Sequence, residues 1–485
     1  MIIKRRDMKK LQRTLALVLA SIILCLAFTS CSNTGKSIMT KTYTKSATES
    51  DGLNLASSAT YVTQDGKTKK SFSLKGKHEK VKYITVDFGD SVDFNTVVLG
   101  EAGKKVTLFE IYGSNEQDAN YQFLYQSDCI EGGHTCFLGD VKYRYLRIFV
   151  NQSSGNYNVN SFEAYYLKNE KAKDLRVNAY FIAEDIKEDA DFSNLDALTY
   201  VIVFGTAKFD GQGNIKFYDN DSNEVDEKYY ADKVNLLKSK IGDRKINIIT
   251  DIAMPYGEGN PDIKSMMNEQ NVDNLVANIV DFVNKYGFDG YDMDYEFPED
   301  KADWKRFNNF LRKLDKAMPD KIISLAIAPW DLRFDDDVIK AIDRVEVMLY
   351  DMFTAHGYHS IFSTTVNGVD KAIKGGFSPE QIDLGLPFYS RPTNRLGYWG
   401  NYNQFGGKID RYTNLIYFND FDHDGNPMTA PQYINSVQMV ADKTAFAIDA
   451  GLGGMMIWHY SCDLPYDDEL SLFKAITDTK IAKQK

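Results

Sequence analysis

Residues 288–296 read FDGYDMDYE. Four carboxylates, Asp289, Asp292, Asp294 and Glu296, fall within nine residues, and Tyr291, Met293 and Tyr295 alternate with the last three. Asp is depleted in strands and like charges held close together repel, so a strand built this way is costly unless chemistry needs it. Every second side chain of a strand shares a face. Asp292, Asp294 and Glu296 therefore point one way, and Tyr291, Met293 and Tyr295 the other. Two strand residues rise about 6.6 Å, so Asp294 reaches either neighbour's carboxylate while Asp292 and Glu296 stand about 13 Å apart. Three carboxylates on one enclosed face cannot all ionise cheaply, and at least one keeps a proton near neutral pH, which is how a general acid is made. Asp289 lies off this face and reads as capping the strand start.

The surroundings say what kind of strand this is. Apolar runs lie at 175–181, 198–205, 245–253, 288–296, 322–329, 345–351, 382–389 and 453–460. Helical stretches separate them. Residues 271–287 repeat apolar positions at a spacing of three to four and end on Lys285 and Gly287, and 302–319 do the same and stop at Pro319. Eight strands with crossovers fit a (β/α)8 TIM barrel over 175–485, with Glu296 at the C-terminal end of its strand, where barrel active sites lie. An open doubly wound sheet would need a Gly-rich phosphate turn, and neither G-x-G-x-x-G nor G-x-x-x-x-G-K-[ST] occurs.

Upstream the character differs. Residues 1–30 carry Lys4, Arg5, Arg6, Lys9, Lys10 and Arg13, then the apolar LALVLASIILCLAF, then TSCSN. This is a targeting segment. The small residues before Cys31 resemble a bacterial lipobox, although Phe28 stands where the pattern prefers Leu. The resemblance implies cleavage before Cys31 and a lipidated, surface-anchored protein. A plain secretory signal or an uncleaved anchor would equally place the chain outside the cytoplasm. Residues 31–57, rich in Ser, Thr, Lys, Gly and Asn, read as a flexible tether. From 58 to 167, short aromatic and β-branched runs punctuated by Gly, Asn and Asp predict an antiparallel β-sandwich. A charged linker at 168–174 follows, so the barrel is expected to stand alone without what precedes it.

Composition narrows the partners. The chain has 485 residues and a formal net charge of −11, without a basic stripe, which argues against nucleic acid. Its 30 Tyr and 29 Phe provide core and, in places, platforms for sugar faces. Beyond Cys25 and Cys31, Cys129, Cys136 and Cys462 remain; the first two could close a loop disulfide or stay free thiols. No metal spacing is evident, and no cofactor is implied. DFDHDGN at 420–426 opens like a calcium loop, but its twelfth position is Pro431, so a solvated turn is expected. His356 and His359 read as exposed loop residues near the cleft.

The pattern Asp-x-x-Asp-x-Asp-x-Glu resembles the catalytic signature of glycoside hydrolase family 18, the chitinases and endo-β-N-acetylglucosaminidases. LYDM (349–352), LGLPFYSR (384–391) and GLGGMMIWHY (451–460) resemble the family's sixth, seventh and last strands, in order. The likeness covers roughly 172–480, with one departure: the third strand usually carries Ser-x-Gly-Gly, and here reads IITDIAMP. The resemblance implies that the substrate's own acetamido oxygen is the nucleophile, an exception to the two-carboxylate scheme. Glu296 would be acid and then base, Asp294 would orient the acetamido group, Asp292 would share charge and proton with Asp294, and Tyr350 would donate to the acetamido oxygen. Asp351, Tyr389 and Arg391 would contact the sugar, with Trp458 beneath it; Trp330 and Trp399 are either packing residues or subsite platforms. Residues 58–167 resemble a discoidin-like module. The expected substrate is a GlcNAc-containing oligosaccharide, either chitin oligomers or a glycoprotein glycan cut at its chitobiose core, and the rival is an inactive chitinase-like lectin.

Overall fold

The computed structural model describes residues 53–255, 261–395, 397, 399–417 and 427–484. The signal segment, Cys31, most of the tether and the DFDHDGN stretch lie outside the described residues.

From residue 176 the alternation resolves into eight parallel strands: β1 Arg176–Ile182, β2 Tyr200–Phe204, β3 Asn247–Asp251, β4 Gly290–Asp294, β5 Ile322–Ile327, β6 Arg344–Val347, β7 Ile382–Pro387 and β8 Gly454–Trp458. They pair in sequence order, and β8 pairs with β1, which closes the barrel. The main helices are α1 Glu227–Ile241, α2 Val272–Tyr286, α3 Lys301–Ala317, α4 Phe362–Lys374, α5 Val437–Asp449 and α6 Leu472–Lys483. Sequence explains their limits. Gly287, at φ 62°, ends α2 in the left-handed conformation that glycine favours. The Asp300 side chain accepts the amides of Ala302 and Asp303 to start α3.

The two faces of β4 separate as its alternation predicts. Tyr291, Met293 and Tyr295 are buried with Leu275, Ile279, Phe307 and Phe310 in the core between barrel and helices. Inside the barrel lies a smaller apolar cluster of Tyr180, Ile202, Ile249, Ala326, Met348 and Met456. Gly290 lets β4 and β5 approach closely, since a Cβ there would stand 2.3 Å from the Ile322 carbonyl oxygen. Several strands end earlier than the apolar runs suggest. The β4 ladder stops at Asp294, β6 at Val347 and β7 at Pro387, which leaves Glu296, Tyr350, Asp351, Tyr389 and Arg391 beyond the strand ends, at the barrel mouth. Asp289 takes its structural place, its side chain accepting the Ile248 amide at 2.8 Å.

Ahead of the barrel, eight antiparallel strands form one hydrogen-bonded sheet. Its spine is the pairing of Lys82–Glu101 with His134–Ser153, and its own core includes Ile84, Phe94, Phe109, Tyr125 and Ile148. The end of the range read as tether is structured: Leu55–Ser58 form a short 3-10 helix whose Ala56 is buried, and the Asn54 side chain accepts the amides of Ala56 and Ala164. No helix of the described residues is long and apolar enough to cross a membrane.

The two units are not joined by a free spacer. Within 168–174, Glu170–Asp174 form a 3-10 helix with Ala172 buried. The Asn169 amide donates to Lys483 O at 2.8 Å and its side chain to Ile448 O at 3.0 Å. All thirteen residues of α5 are buried. Asp442, on α5, accepts Tyr125 OH at 2.5 Å, the Phe137 amide at 2.7 Å and Gln438 Nε2 at 3.0 Å, with His134 Nε2 at 3.2 Å. Phe137 packs on Ala441 and Ala445. Val98, Tyr165 and Leu167 belong to the barrel's outer core. These contacts weigh against a barrel that stands alone: without the first unit, α5 would expose apolar surface and a carboxylate stripped of most of its donors.

Asp442→Ala is expected to destabilise the whole chain by about 3–5 kcal/mol, because several buried donors lose one acceptor at once. Urea unfolding checks this, and a loss within about 0.5 kcal/mol would show the interface to be incidental.

Candidate functional site

The barrel interior is polar in tiers. Nearest the N-terminal ends, Arg176 donates to Asp383 at 2.6 Å, and Asn178 Nδ2 bridges Glu346 at 3.1 Å and Asp383 at 3.2 Å. Arg344 Nε donates to Glu346 at 3.1 Å. Above them, Asp292 accepts Tyr180 OH on one oxygen and Ser324 OH on the other, each at 2.5 Å. Burial raises the Asp292 carboxyl; those two hydroxyls, the Arg344 charge and a hydrogen bond from Glu346 pull against it. Glu346 itself is pushed well up, by burial and by Asp292, so it holds a proton to give. Of the two, Asp292 is the one whose charged form the converging donors favour, although burial leaves its carboxyl raised overall.

The next tier holds Asp251 and Asp294. Asp251 pairs in register with Asp292 across β3 and β4, and accepts the Asp294 amide at 2.9 Å. Both carboxyls are raised well above the ordinary range, Asp251 by burial and Asp292, Asp294 by burial and then Glu296, Asp251 and Asp292. Asp294 is thus a neutral acid, and it hydrogen-bonds Glu296 in a sense that lowers Glu296 and raises itself, as the donor does.

Glu296 is exposed at the barrel mouth. Partial desolvation, then the Asp351 charge, push it up to about 7, against the Asp294 hydrogen bond. Tyr350 stands in the same field, its phenol raised by burial and by Asp294 and Glu296, so it remains an O–H donor. Asp351, at φ 56°, behaves oppositely. Burial pushes it up, but Arg391, at 3.1 Å, with His359 and Tyr389, hold it below its ordinary value. Trp458 ends β8 with its ring 5.2 Å from Tyr180 and 5.4 Å from Phe204. Trp399 stacks on Tyr389 at 5.0 Å, and Trp330 meets Phe297 at 5.4 Å.

All eight barrel residues singled out from the sequence thus gather at one mouth: Asp292, Asp294, Glu296, Tyr350, Asp351, Tyr389, Arg391 and Trp458. Others went unselected. Tyr180 and Asn178 sit on alternate positions of β1, Ser324 and Glu346 on β5 and β6, and Asp251 in the departing third-strand stretch; period-two parity is the signal that finds them. His359 is a correction. It is fully buried, with Nδ1 3.6 Å from Asp351, rather than exposed in a loop. Cys129, Cys136 and Cys462 carry free, buried thiols. Among the described residues no group of three or more His, Cys, Asp and Glu could hold a metal ion.

The proton on Glu346 has a measurable consequence. Above about pH 4.3 the unfolded chain releases it while the folded chain keeps it, so stability falls by up to about 1.4 kcal/mol per pH unit until the folded value is reached. Glu346→Gln preserves the shape, the acceptor and the donor without that proton. The variant is expected to gain on wild type as pH rises above about 5 in urea unfolding. A difference independent of pH would mean that Glu346 is ionised in the fold.

The family model of Glycosyl hydrolases family 18 matches residues 165–463. "Probable chitinase 2" of Drosophila melanogaster is 23% identical over 246 residues, covering 39% of this chain and 50% of its own length, so the chain spans half of that relative. Two solved structures share the fold. A chitinase from Bacteroides thetaiotaomicron is 18% identical at TM-score 0.50, covering 64% of this chain and 97% of its own. The Ostrinia furnacalis Group IV chitinase is 17% identical at TM-score 0.51, covering 64% and 100%. With more than half of its residues inside the family match, the chain belongs to glycosyl hydrolases family 18.

Proposed function

We propose that the chain hydrolyses β-1,4-linked N-acetylglucosamine by substrate-assisted, retaining catalysis. The observation that carries this reading is the Asp294–Glu296 pair: a neutral acid hydrogen-bonded to a carboxyl raised to about 7 that opens on the cleft. Such a carboxyl is poised to give a proton near neutral pH and to take one back. Glu296 protonates the departing glycosidic oxygen. The acetamido carbonyl oxygen attacks the anomeric carbon as that bond breaks, and the electron pair leaves with the protonated oxygen. Asp294 holds the acetamido N–H and steadies the oxazolinium, drawing on Asp292 below it. Tyr350 donates to the acetamido oxygen. Water, deprotonated by Glu296, then opens the ring and returns the original anomeric configuration. Asp351, Arg391 and Tyr389 hold sugar hydroxyls, and Trp458 lies beneath the apolar face.

The substrate class is chitin oligomers or the chitobiose core of N-glycans. Names of the matching relatives support the first. We read Cys31 as a lipidation site that anchors the protein at the cell surface, and residues 58–167 as a discoidin-like module.

Glu296→Gln is expected to reduce turnover by at least the 10²–10⁴-fold or so typical of general acid–base catalysis, with binding of chito-oligosaccharides retained. Near wild-type turnover would remove Glu296 from the role, and a wild type that binds but cuts nothing would be a lectin.

The acidic form of Glu296 starts the reaction, so kcat/KM should fall as pH rises through about 7. Asp351 contributes to that elevation, so in Asp351→Asn the basic limb should move to lower pH. A pH–rate profile that keeps its basic limb in place would separate Asp351 from the acid. Chito-oligosaccharides and their deacetylated counterparts decide the nucleophile: only the acetylated form should be cut.

A further inference from the structure

Tyr433 sits where three parts of the molecule meet. Its strand, Gln432–Tyr433, belongs to the small sheet inserted after β7, and Tyr433 pairs with Arg391 on the neighbouring strand Tyr389–Pro392. The Tyr433 carbonyl accepts His359 Nε2 at 3.1 Å. Its ring stacks on Tyr358 at 4.7 Å with planes 17° apart. Through its backbone, then, Tyr433 holds both Arg391 and His359, the two groups that face Asp351.

The phenol of Tyr433 leads out of the barrel. Its hydroxyl donates to Asp128 Oδ1 at 3.3 Å, in the first unit, just after the strand Gln122–Ser127. The same oxygen accepts Asn414 Nδ2 at 3.1 Å. Asn414 in turn accepts the Ser436 amide through its side chain and the Ile434 amide through its carbonyl, each at 2.9 Å. One carboxylate thus ties the tip of Tyr433 and the residue that brackets its strand. Cys129, Tyr358, Ile361 and Tyr433 close an apolar cluster around the junction, with Leu415 against it. Asp128 is buried, and burial pushes it up to about 6 against Asn414, the nearby His134, a backbone hydrogen bond and Tyr433. A buried carboxylate met mainly by neutral donors is an expensive way to fill space.

We propose that Asp128 is a positioning residue for the sugar-binding wall, so that the first unit completes the active site instead of merely accompanying it. By fixing Tyr433 and Asn414, it sets the strand that carries Tyr389 and Arg391 and the loop that carries His359, and these set Asp351. The acid–base pair, Asp294 and Glu296, makes no contact within this chain and senses it only through the Asp351 charge. The inference rests on the reading of Asp351, Arg391 and Tyr389 as the sugar wall.

The test compares two variants of the full chain. Asp128→Leu removes the acceptor and leaves Tyr433 OH and Asn414 Nδ2 facing an apolar side chain. Asp128→Asn keeps an acceptor oxygen in place. With a chitin tetrasaccharide as substrate, Asp128→Leu should lower kcat/KM about tenfold, mostly through KM, the size of effect that one or two lost buried hydrogen bonds produce. Asp128→Asn should stay within about twofold of wild type. Amide hydrogen exchange should quicken at residues 353–361 and 389–392 in Asp128→Leu and stay unchanged at 290–296. A role confined to stability would lower the melting temperature of Asp128→Leu and leave KM and local exchange of the folded enzyme untouched, which would overturn the proposal. Should Asp128→Leu not fold, Tyr433→Phe keeps ring, strand and the Asn414 bond, and should show the same exchange pattern with a smaller rise in KM; exchange unchanged from wild type would equally overturn it. A wild type inactive on the tetrasaccharide would count against the proposed function alone, and exchange would then decide the positioning role by itself.

Discussion

Carboxylates inside a closed parallel barrel have no water to share their charge. At an effective dielectric of about 20, two unit charges about 4 Å apart repel by about 4 kcal/mol, and β4 places Asp292 and Asp294 one pleat apart with Asp251 beside them. The rest of the interior answers that constraint. Tyr180, Ser324 and protonated Glu346 direct their hydrogens at Asp292, and Arg344 supports it from below. Asp251 and Asp294 settle the matter by keeping protons. Hydrogen-bond donors thereby favour charge at Asp292, at the foot of the array, while burial favours protons on Asp251 and Asp294 above it.

The same economy shapes the third strand. It adds Asp251, a further acid beside an already crowded pair. Its carboxylate oxygen accepts the Asp294 amide, so it fixes the backbone of the residue that must stay protonated. A neutral Asp251 does this without adding charge. An ionised one would compete with Asp292 for the available donors, which is why burial and Asp292 together hold its proton in place.

Much of this architecture is legible in the sequence, for identifiable reasons. Parallel strands buried on both faces read as apolar runs, and amphipathic helices read by period, so all eight strands and helices such as 272–286 can be found. The strand ends are less legible. Tyr350 and Glu296 extend patterns that look like strand, yet the ladder has already stopped, because the last register pairs are Asp294 with Ala326 and Val347 with Leu384. The acids of β4 announce themselves by crowding. Tyr180, Ser324 and Glu346 do not, since each is a single polar residue in an apolar run and becomes meaningful only when barrel closure brings it to Asp292. The junction of the two units was hidden more deeply. VQMVADKTAFAID carries Asp442 and Lys443 side by side, which reads as a solvated edge, but both are buried. Asp442 meets the first unit, and Lys443 donates to Ser360 and Asn435 on the barrel side.

That buried helix also bears on why two carboxylates at one mouth behave in opposite ways. Asp351 and Glu296 both stand at the barrel mouth, and desolvation pushes both upward. They differ in what faces them. Asp351 meets the Arg391 guanidinium and the ring of His359, held in place by the Tyr433 strand and by the loop that Lys443 anchors at Ser360. Glu296 meets a neutral acid below and the Asp351 charge from beyond the end of β6, with no cation among the groups that shift it. The cation that stabilises the Asp351 charge thereby keeps a negative charge near Glu296, and that charge helps Glu296 retain its proton. The acid is set by an ion pair beyond the end of β6, two strands along the barrel, as well as by its own strand, and the placement of that ion pair traces back, through Tyr433, to the first unit.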